Sequence, residues 1–114
     1  MSLERVLKAL VSVGLSETDA RVYVYLALKG PDKAGSIVDN LKIRKQQLYP
    51  ILKTLQDKGV VAASPERPAL FSALAFEKAL NLLVEANMEQ AKALKETKEE
   101  LLSSWRDMTK RDNT

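Results

Sequence analysis

The side chains with the clearest chemical potential are clustered in the middle of the chain. Arginine, lysine and glutamine side chains hold phosphates and read the edges of base pairs, so a cluster of these types is suited to nucleic acid. A lysine ahead of the cluster and an arginine in a later proline-rich turn add two more cations. The residues that we predict to contact DNA are Lys33, Arg44, Lys45, Gln46, Gln47, Tyr49, Lys53 and Arg67.

The residue types needed for other chemistries are missing from the sequence. The chain contains no histidine and no cysteine, which excludes thiolate and imidazole metal sites and every nucleophile–histidine pair. No carboxylate pair occurs in a setting that predicts a pocket, and four glycines do not form a phosphate-binding loop. We therefore expect no enzymatic activity, no metal and no cofactor.

The net charge of +3 conceals a strong local asymmetry. Residues 1–41 carry five basic and five acidic side chains, residues 42–74 carry six and two, and residues 75–108 carry five and seven. The positive charge is therefore concentrated on the central segment, as it is on a nucleic-acid contact surface. Because the excess in that segment is modest, one copy should bind DNA weakly and two copies acting together should bind better.

A helix is predicted to position the central cluster. It starts near Arg44 and stops before Gly59, a natural helix-terminating residue, so we place a recognition helix at about residues 44–58. Its polar face is basic at the N-terminal end, as in a helix that reads bases, although a solvated surface helix gives the same pattern. Its apolar stripe consists of Leu48, Ile51, Leu52 and Leu55.

Three shorter helices are predicted before the recognition helix. Periodic apolar residues predict one at residues 2–13 and a second from the capping residue Ser16 to about Lys29. A third short helix is predicted from Ala34 to Leu41 and is followed by a tight turn. Two helices around such a turn form a helix-turn-helix.

The residue pattern changes after the recognition helix from helical to strand-like. Residues 60–63 and 69–73 are strand candidates, and the turn between them contains two prolines. A short hairpin directly after a recognition helix is typical of a wing, so we assign the wing to residues 60–73. Arg67 at its tip is placed to reach a phosphate or the minor groove, unless it only makes the turn soluble.

The last part of the chain, residues 75–108, contains no glycine or proline and predicts one helix about 50 Å long. So long a helix exceeds what this domain can cover, so we expect it to pair with the same helix of a second copy. Alternatively, the helix packs along the winged-helix domain of its own chain, with Leu82, Leu83 and Val84 covering that domain. The heptad seam is apolar except at Asn87 and Lys98. The predicted dimerisation residues are Leu80, Val84, Asn87, Ala91, Leu94, Leu101, Trp105 and Met108.

The order of these elements resembles the DNA-binding module of the TrmB family of archaeal transcriptional regulators. The run from Leu15 to Tyr23 is its most specific match, and Gly30-Pro31, Gly59-Val60-Val61 and residues 76–80 also fit. The resemblance implies a winged helix that binds duplex DNA. Many family members continue into a C-terminal sugar-sensing domain, for which this chain has no room, so carbohydrate sensing is not expected.

Pro50 departs from that family's pattern because it lies inside the predicted recognition helix. It removes the hydrogen bond to the carbonyl of Gln46, so it should kink the helix or mark its first turns. Tyr49-Pro50 followed by leucines is similar to PadR-type regulators. That second resemblance implies the same fold and the same broad function.

Together these features predict a mainly α-helical chain with a small β-hairpin wing. We expect a winged helix-turn-helix domain at residues 1–74, a long dimerisation helix at residues 75–108 and a disordered tail at residues 109–114. The expected function is sequence-specific binding of double-stranded DNA by a homodimeric, cytoplasmic transcriptional regulator without membrane contact. Two alternatives are a winged-helix module for protein–protein contact in the transcription machinery, and a regulator with an effector between the wing domain and the long helix.

Overall fold

The computed structural model describes the backbone of residues 2–112 and the side chains of residues 2–110. The order of elements confirms the predicted winged helix-turn-helix followed by a long C-terminal helix. The elements are α1 (Leu3–Ser12), α2 (Glu17–Lys29), β1 (Asp32–Lys33), α3 (Ala34–Leu41), α4 (Lys45–Asp57), β2 (Val61–Ala63), β3 (Leu70–Ala73) and α5 (Phe76–Asp112).

Serine hydroxyls fix the starts of the first two helices. The Ser2 hydroxyl accepts a hydrogen bond from the Arg5 N–H at 3.3 Å, and the Ser16 hydroxyl accepts one from the Asp19 N–H at 3.0 Å. Such N-caps typically contribute about 1 kcal/mol to helix stability. The second helix ends at Gly30, whose φ of 99° lies in the region that favours glycine.

The turn of the helix-turn-helix is built on a lysine in a glycine-like conformation. Lys42 follows the end of α3 with φ 55° and ψ 46°, and its N–H donates to the Val38 carbonyl. The next N–H, that of Ile43, donates to the same carbonyl at 3.3 Å. This left-handed conformation costs an ordinary residue roughly 1–2 kcal/mol, so packing of the two helices must offset that cost.

The predicted two-stranded wing is part of a three-stranded antiparallel sheet with the strand order β1-β3-β2. The extra strand, β1, places Asp32 opposite Phe71 and Lys33 opposite Leu70. The sequence prediction missed β1 because two residues are too few to show strand alternation. The strand joins the wing to the start of α3 and thereby brings Lys33 beside the wing.

The core of the winged-helix unit, Met1–Val84, gathers apolar side chains from all of its helices and from the wing. Leu48, Leu52 and Leu55 of α4 are almost completely buried, as their spacing predicts. Tyr23 is also buried; its hydroxyl donates to the Leu74 carbonyl at 2.6 Å, and burial raises the pKa of Tyr23. Ala27, which has the spacing of a core residue, is exposed instead.

The first turns of α5 belong to this core. Ala79 and Leu83 are buried, whereas Leu82 and Val84 are exposed, so only part of the apolar surface here covers the domain. A second unit begins at Glu85. No helix described within residues 2–112 is long and apolar enough to cross a membrane.

The helix α5 continues to Asp112, so residues 109–112, which were predicted to belong to a disordered tail, are helical. The Thr109 hydroxyl donates to the Trp105 carbonyl at 3.1 Å, as in a regular helix. No glycine or proline occurs between residues 109 and 112, and nothing else there interrupts the helical hydrogen bonds. Residues 113 and 114 of the predicted tail lie outside the described residues.

Candidate nucleic-acid interface

All eight residues predicted to contact DNA are exposed. Arg44 is the N-cap of α4 and Lys33 is the N-cap of α3, while Arg67 lies in the turn between β2 and β3. The remaining five lie on α4 itself: Lys45, Gln46, Gln47, Tyr49 and Lys53.

A groove of about 420 Å³ brings three of these residues together. Lys33 contributes from the start of α3, and Lys45 and Tyr49 contribute from α4. The opposite wall is formed by the wing. The other lining residues are Ala34, Gly35, Ser36, Pro68, Ala69 and Phe71. No carboxylate lines the groove, so its charge is positive and its chemistry suits an anion.

Tyr49 of the groove also shares the outward face of α4 with two predicted residues that do not line the groove. Gln46, Tyr49 and Lys53 are spaced to share one helical face. That face is opposite the buried leucine stripe, so it is free to enter a DNA groove. Arg67 does not line the basic groove, although the next residue, Pro68, does.

Within the described side chains, no ion pair engages the cations of this surface. Among the side chains of residues 2–110, the ion pairs are Lys8–Glu4 at 3.6 Å and Lys29–Asp32 at 3.1 Å. Neither pair uses a residue predicted to contact DNA. The five cations of the predicted interface are therefore available to phosphates.

Gln47 has a structural contact that its predicted role did not include. Its Oε1 accepts a hydrogen bond from the Arg44 N–H at 3.1 Å, which satisfies one unpaired donor at the start of α4. A glutamine three residues after the N-cap is the sequence signal of this arrangement. The Gln47 side chain therefore stabilises the helix start through its amide oxygen, and its amide nitrogen remains as a possible donor.

Pro50 does not end the recognition helix, since α4 continues from Lys45 to Asp57. The proline nitrogen carries no hydrogen, so the Gln46 carbonyl receives no helical hydrogen bond from it. Further along, the Pro50 carbonyl accepts from the Thr54 hydroxyl at 3.0 Å.

A polar cluster behind the interface fixes the position of Lys33. Asp32 accepts a hydrogen bond from the Tyr25 hydroxyl at 2.6 Å and from the Lys33 N–H at 2.9 Å. Lys29 donates to Asp32 at 3.1 Å and to the Tyr25 hydroxyl at 3.0 Å. The cluster joins the end of α2 to β1 and so holds the chain where α3 begins.

Hydrogen bonding dominates the ionisation of that cluster. Burial raises the pKa of Asp32, but hydrogen bonds from Tyr25, Ser36, Lys29 and the Lys33 N–H outweigh burial and lower the pKa to about 2. Hydrogen bonding to Tyr25 and to Asp32 raises the pKa of Lys29. The sequence prediction missed this cluster; the spacing of Tyr25 and Lys29 by one helical turn was the available signal.

A second groove, of about 560 Å³, lies where β3 leads into α5. It is mostly apolar and open, and Tyr23, Leu28, Leu74 and Phe76 are among its lining residues. An open apolar surface of this kind can accommodate a small hydrophobic molecule.

The predicted dimerisation residues all lie on α5. Leu80 and Asn87 are half-buried, while the others are exposed. Leu94 is 63% exposed, Leu101 64%, Trp105 61% and Met108 57%. The exposed members of the seam are Val84, Ala91, Leu94, Leu101, Trp105 and Met108.

One protein-family model matches the part of the chain that contains the predicted interface. A family model described as the sugar-specific transcriptional regulator TrmB matches residues 9–77. The matched segment includes α2, the helix-turn-helix and the wing. No curated protein sequence matches the chain.

Solved structures support the fold. TrmBL2, an archaeal chromatin protein whose structure shows a novel mode of DNA binding, is 24% identical with a TM-score of 0.71; the match covers 90% of this chain and 42% of that one. ST1889 from Sulfolobus tokodaii is 21% identical (TM-score 0.64), with 82% of this chain and 99% of that chain covered. The transcriptional regulator Tm0710 from Thermotoga maritima is 16% identical (TM-score 0.57), with 90% and 79% covered.

The chain thus spans less than half the length of TrmBL2. The identities are 24% and below. These structural similarities therefore establish the winged-helix fold and give no information about any DNA sequence that the chain recognises.

Proposed function

This chain belongs to the TrmB family of transcriptional regulators, and from that membership we propose that it is a homodimer that binds double-stranded DNA. In this proposal α4 enters the major groove and the wing contacts the backbone or the minor groove. The observation that carries the proposal is the basic groove between α3, α4 and the wing, where Lys33, Lys45 and Tyr49 meet.

The roles of individual side chains follow from their positions on α4. Arg44 and Gln46 lie at its N-terminal end, where recognition helices contact base edges. Lys45 lines the basic groove together with Lys33, a position that favours phosphate contact over base contact. Lys53, further along the outward face, and Arg67 in the wing are assigned to phosphates.

Salt dependence of duplex binding tests the proposal. We expect the wild-type chain to bind a labelled duplex at low salt and to weaken steeply as salt increases. The slope of log affinity against log salt is negative, and each lost phosphate contact makes it less steep by about 0.9. In the proposed homodimer, Lys33→Ala and Lys45→Ala each remove one such contact per copy, so each should make the slope less steep by about 1.8.

Lys8→Ala is the matched control for these variants, because Lys8 lies on α1 and pairs with Glu4. It should leave the slope unchanged. Absence of duplex binding at low salt would contradict the proposed function and would favour the protein–protein contact module. Equal slopes for the Lys8, Lys33 and Lys45 variants would contradict the assigned surface.

The homodimer part of the proposal is supported by the exposed apolar seam of α5. Large apolar side chains that recur at heptad spacing on a helix with no covering element favour pairing of two helices. Asn87 and Lys98 interrupt the seam, and such polar positions can fix the register of a pair at some cost in stability.

Mass measurement in solution tests the dimer. The full chain should be dimeric, and a truncation after Val84 should be a folded monomer because it keeps the buried Ala79 and Leu83. In the full chain, Leu101→Glu should dissociate the dimer. Leu102→Glu, one residue away and outside the seam, should not. A monomeric wild-type chain at micromolar concentration, or a dimeric truncation, would contradict helix pairing.

A second candidate function is regulation by a small hydrophobic effector. The apolar groove near Leu74 and Phe76 is the observation that favours it, because this groove lies where the wing domain leads into the long helix. An effector bound there would raise the melting temperature, because the stabilisation grows with the logarithm of its free concentration relative to its dissociation constant. Leu28→Lys, which places a charge on the groove wall, should abolish that rise.

A further inference from the structure

Two polar residues interrupt the apolar seam of α5, and their positions bear on how two copies of this helix pair. In the heptad repeat of the seam, Lys98 occupies an a position and Asn87 occupies a d position. In a parallel pair each residue faces its own counterpart. In an antiparallel pair each a position faces a d position of the partner, so the two orientations bring different side chains together.

A parallel pair gives poorly matched layers at three places in the seam. The two Lys98 ammonium groups would face each other across a mainly apolar interface, and like charges repel. Two Ala91 side chains would leave a gap in one layer, whereas two Trp105 side chains would crowd another. Gaps and overfilled layers both reduce stability, so the parallel orientation is disfavoured.

One antiparallel register corrects all three layers. Its facing residues, each pair of which occurs twice by symmetry, are Ala91 with Leu94, Val84 with Leu101, Lys98 with Asn87 and Trp105 with Leu80. The smallest and the largest side chain of the seam now each face a leucine, which evens out the volumes of the layers. The two polar positions face each other. A shift of one heptad in either direction would instead place Lys98 opposite the partner's Leu80 or the partner's Leu94.

The side chains of this register are available for pairing. Leu94, Leu101 and Trp105 are exposed. Within the described side chains, Lys98 takes part in no ion pair, so its ammonium can donate to the side-chain oxygen of the partner's Asn87. Its long stem lets the charged end stay at the edge of the seam, in contact with water.

We infer that two copies pair through antiparallel α5 helices, in the register that places Asn87 opposite the partner's Lys98. The inference rests on the homodimer of the proposed function and adds its orientation and register. Val84 then faces the partner's Leu101, so the two chains enter the paired segment from opposite ends. The two Val84 Cα atoms are about 25 Å apart along the axis, whereas a parallel pair places them side by side.

Replacing Asn87 by glutamate has opposite effects in the two orientations. In the antiparallel register each new carboxylate meets the partner's Lys98. Sedimentation of the full chain should therefore show that Asn87→Glu lowers the dimer dissociation constant about tenfold relative to Asn87→Gln, the uncharged control of equal size, through two ion pairs. Adding Lys98→Gln to both variants should abolish the gain. In a parallel pair the two new carboxylates face each other, so a weaker dimer would overturn the inference.

Disulfide cross-linking tests the register, because the chain contains no cysteine of its own. Val84→Cys and Leu101→Cys are prepared separately, mixed as reduced full-length proteins and then oxidised. We expect a disulfide between the two variants in the mixture and none in either variant alone, since Cα atoms more than about 7 Å apart cannot be bridged. As the control, Glu99→Cys, which lies outside the seam, should not link to Val84→Cys.

The outcomes separate this inference from the proposed function. If the wild-type chain is monomeric, the homodimer of the proposed function fails and the inference fails with it. If the chain is dimeric and Val84→Cys alone forms a disulfide dimer, the orientation is wrong while the homodimer stands. If the chain is dimeric and the mixture of Val84→Cys and Leu101→Cys forms no disulfide, the register is wrong.

Discussion

Replacing Asp32 by asparagine should destabilise the chain in a way that depends on pH. Asp32 accepts hydrogen bonds from Tyr25, Lys29 and the Lys33 N–H, and its side chain is only 12% exposed. The substitution keeps the shape of the side chain but removes the charge that these donors stabilise. The expected loss can be worked out from the pKa.

The pKa of Asp32 is lowered from 3.8 to about 2, and each unit corresponds to about 1.36 kcal/mol. The pKa of Asp32 is lower in the folded than in the unfolded chain, so its ionised carboxylate stabilises the fold at pH values above 3.8. This stabilisation is lost as the pH falls through the folded-state pKa. The contribution is roughly 2 kcal/mol at neutral pH and only a small part of that near pH 2. Asp32→Asn should therefore cost about 2 kcal/mol at pH 7 and little near pH 2.

Urea unfolding of the wild-type chain and of Asp32→Asn between pH 7 and pH 2 measures how their difference in stability changes with pH. Other carboxylates also titrate in this range, so the difference between variant and wild type, rather than either curve, carries the information. Asp39→Asn is the control, because Asp39 is an exposed carboxylate on α3. A difference between Asp32→Asn and wild type that stays constant with pH would refute the reasoning, as would an equal effect of Asp39→Asn.

Three other substitutions test separate features of the structure. Tyr23→Phe removes the donor to the Leu74 carbonyl at 2.6 Å and should cost about 1 kcal/mol in urea unfolding; no change would show that water replaces the hydroxyl. Lys42→Gly relieves the left-handed conformation and should raise stability by about 1 kcal/mol, which the same measurement checks. Arg44→Ala should lower discrimination between duplexes of different sequence by about 1–3 kcal/mol, whereas Arg67→Ala should weaken binding to all duplexes equally. If both variants lose specificity at the same base pair, the two assigned roles are wrong.

The helices were predictable because their signals are local. The bounds of α3 agree with the structure, and Ser16 caps α2 as predicted. The spacing of Leu48, Leu52 and Leu55 identified the buried face of α4. A cap and an apolar stripe depend on residues within one or two turns, so the sequence alone contains the information.

The strand β1 was not predictable from local signals. It is two residues long and exists because Asp32 pairs with Phe71, a residue far along the chain. The cluster around Asp32 depends on that pairing, since it connects the end of α2 to β1. Lys42 shows the same limitation, because only the packing of α3 against α4 explains why a lysine takes a glycine-like conformation.

The candidate interface was predictable as a set of residue types but not as a shape. Arginine, lysine and glutamine near the start of an amphipathic helix indicate nucleic acid from chemistry alone. The basic groove requires three elements that are distant in sequence, and only the fold shows that Lys33 and Lys45 face one ligand.

Salt dependence connects the two parts of the proposed function. The predicted interface of one copy has five cations, Lys33, Arg44, Lys45, Lys53 and Arg67. If each met one phosphate, the slope of log affinity against log salt would reach about −4.5 for one copy and about −9 for two. A measured slope steeper than about −5 therefore requires two copies on the duplex. Leu101→Glu, which should separate the copies without touching the interface, should return the slope to the value for one copy.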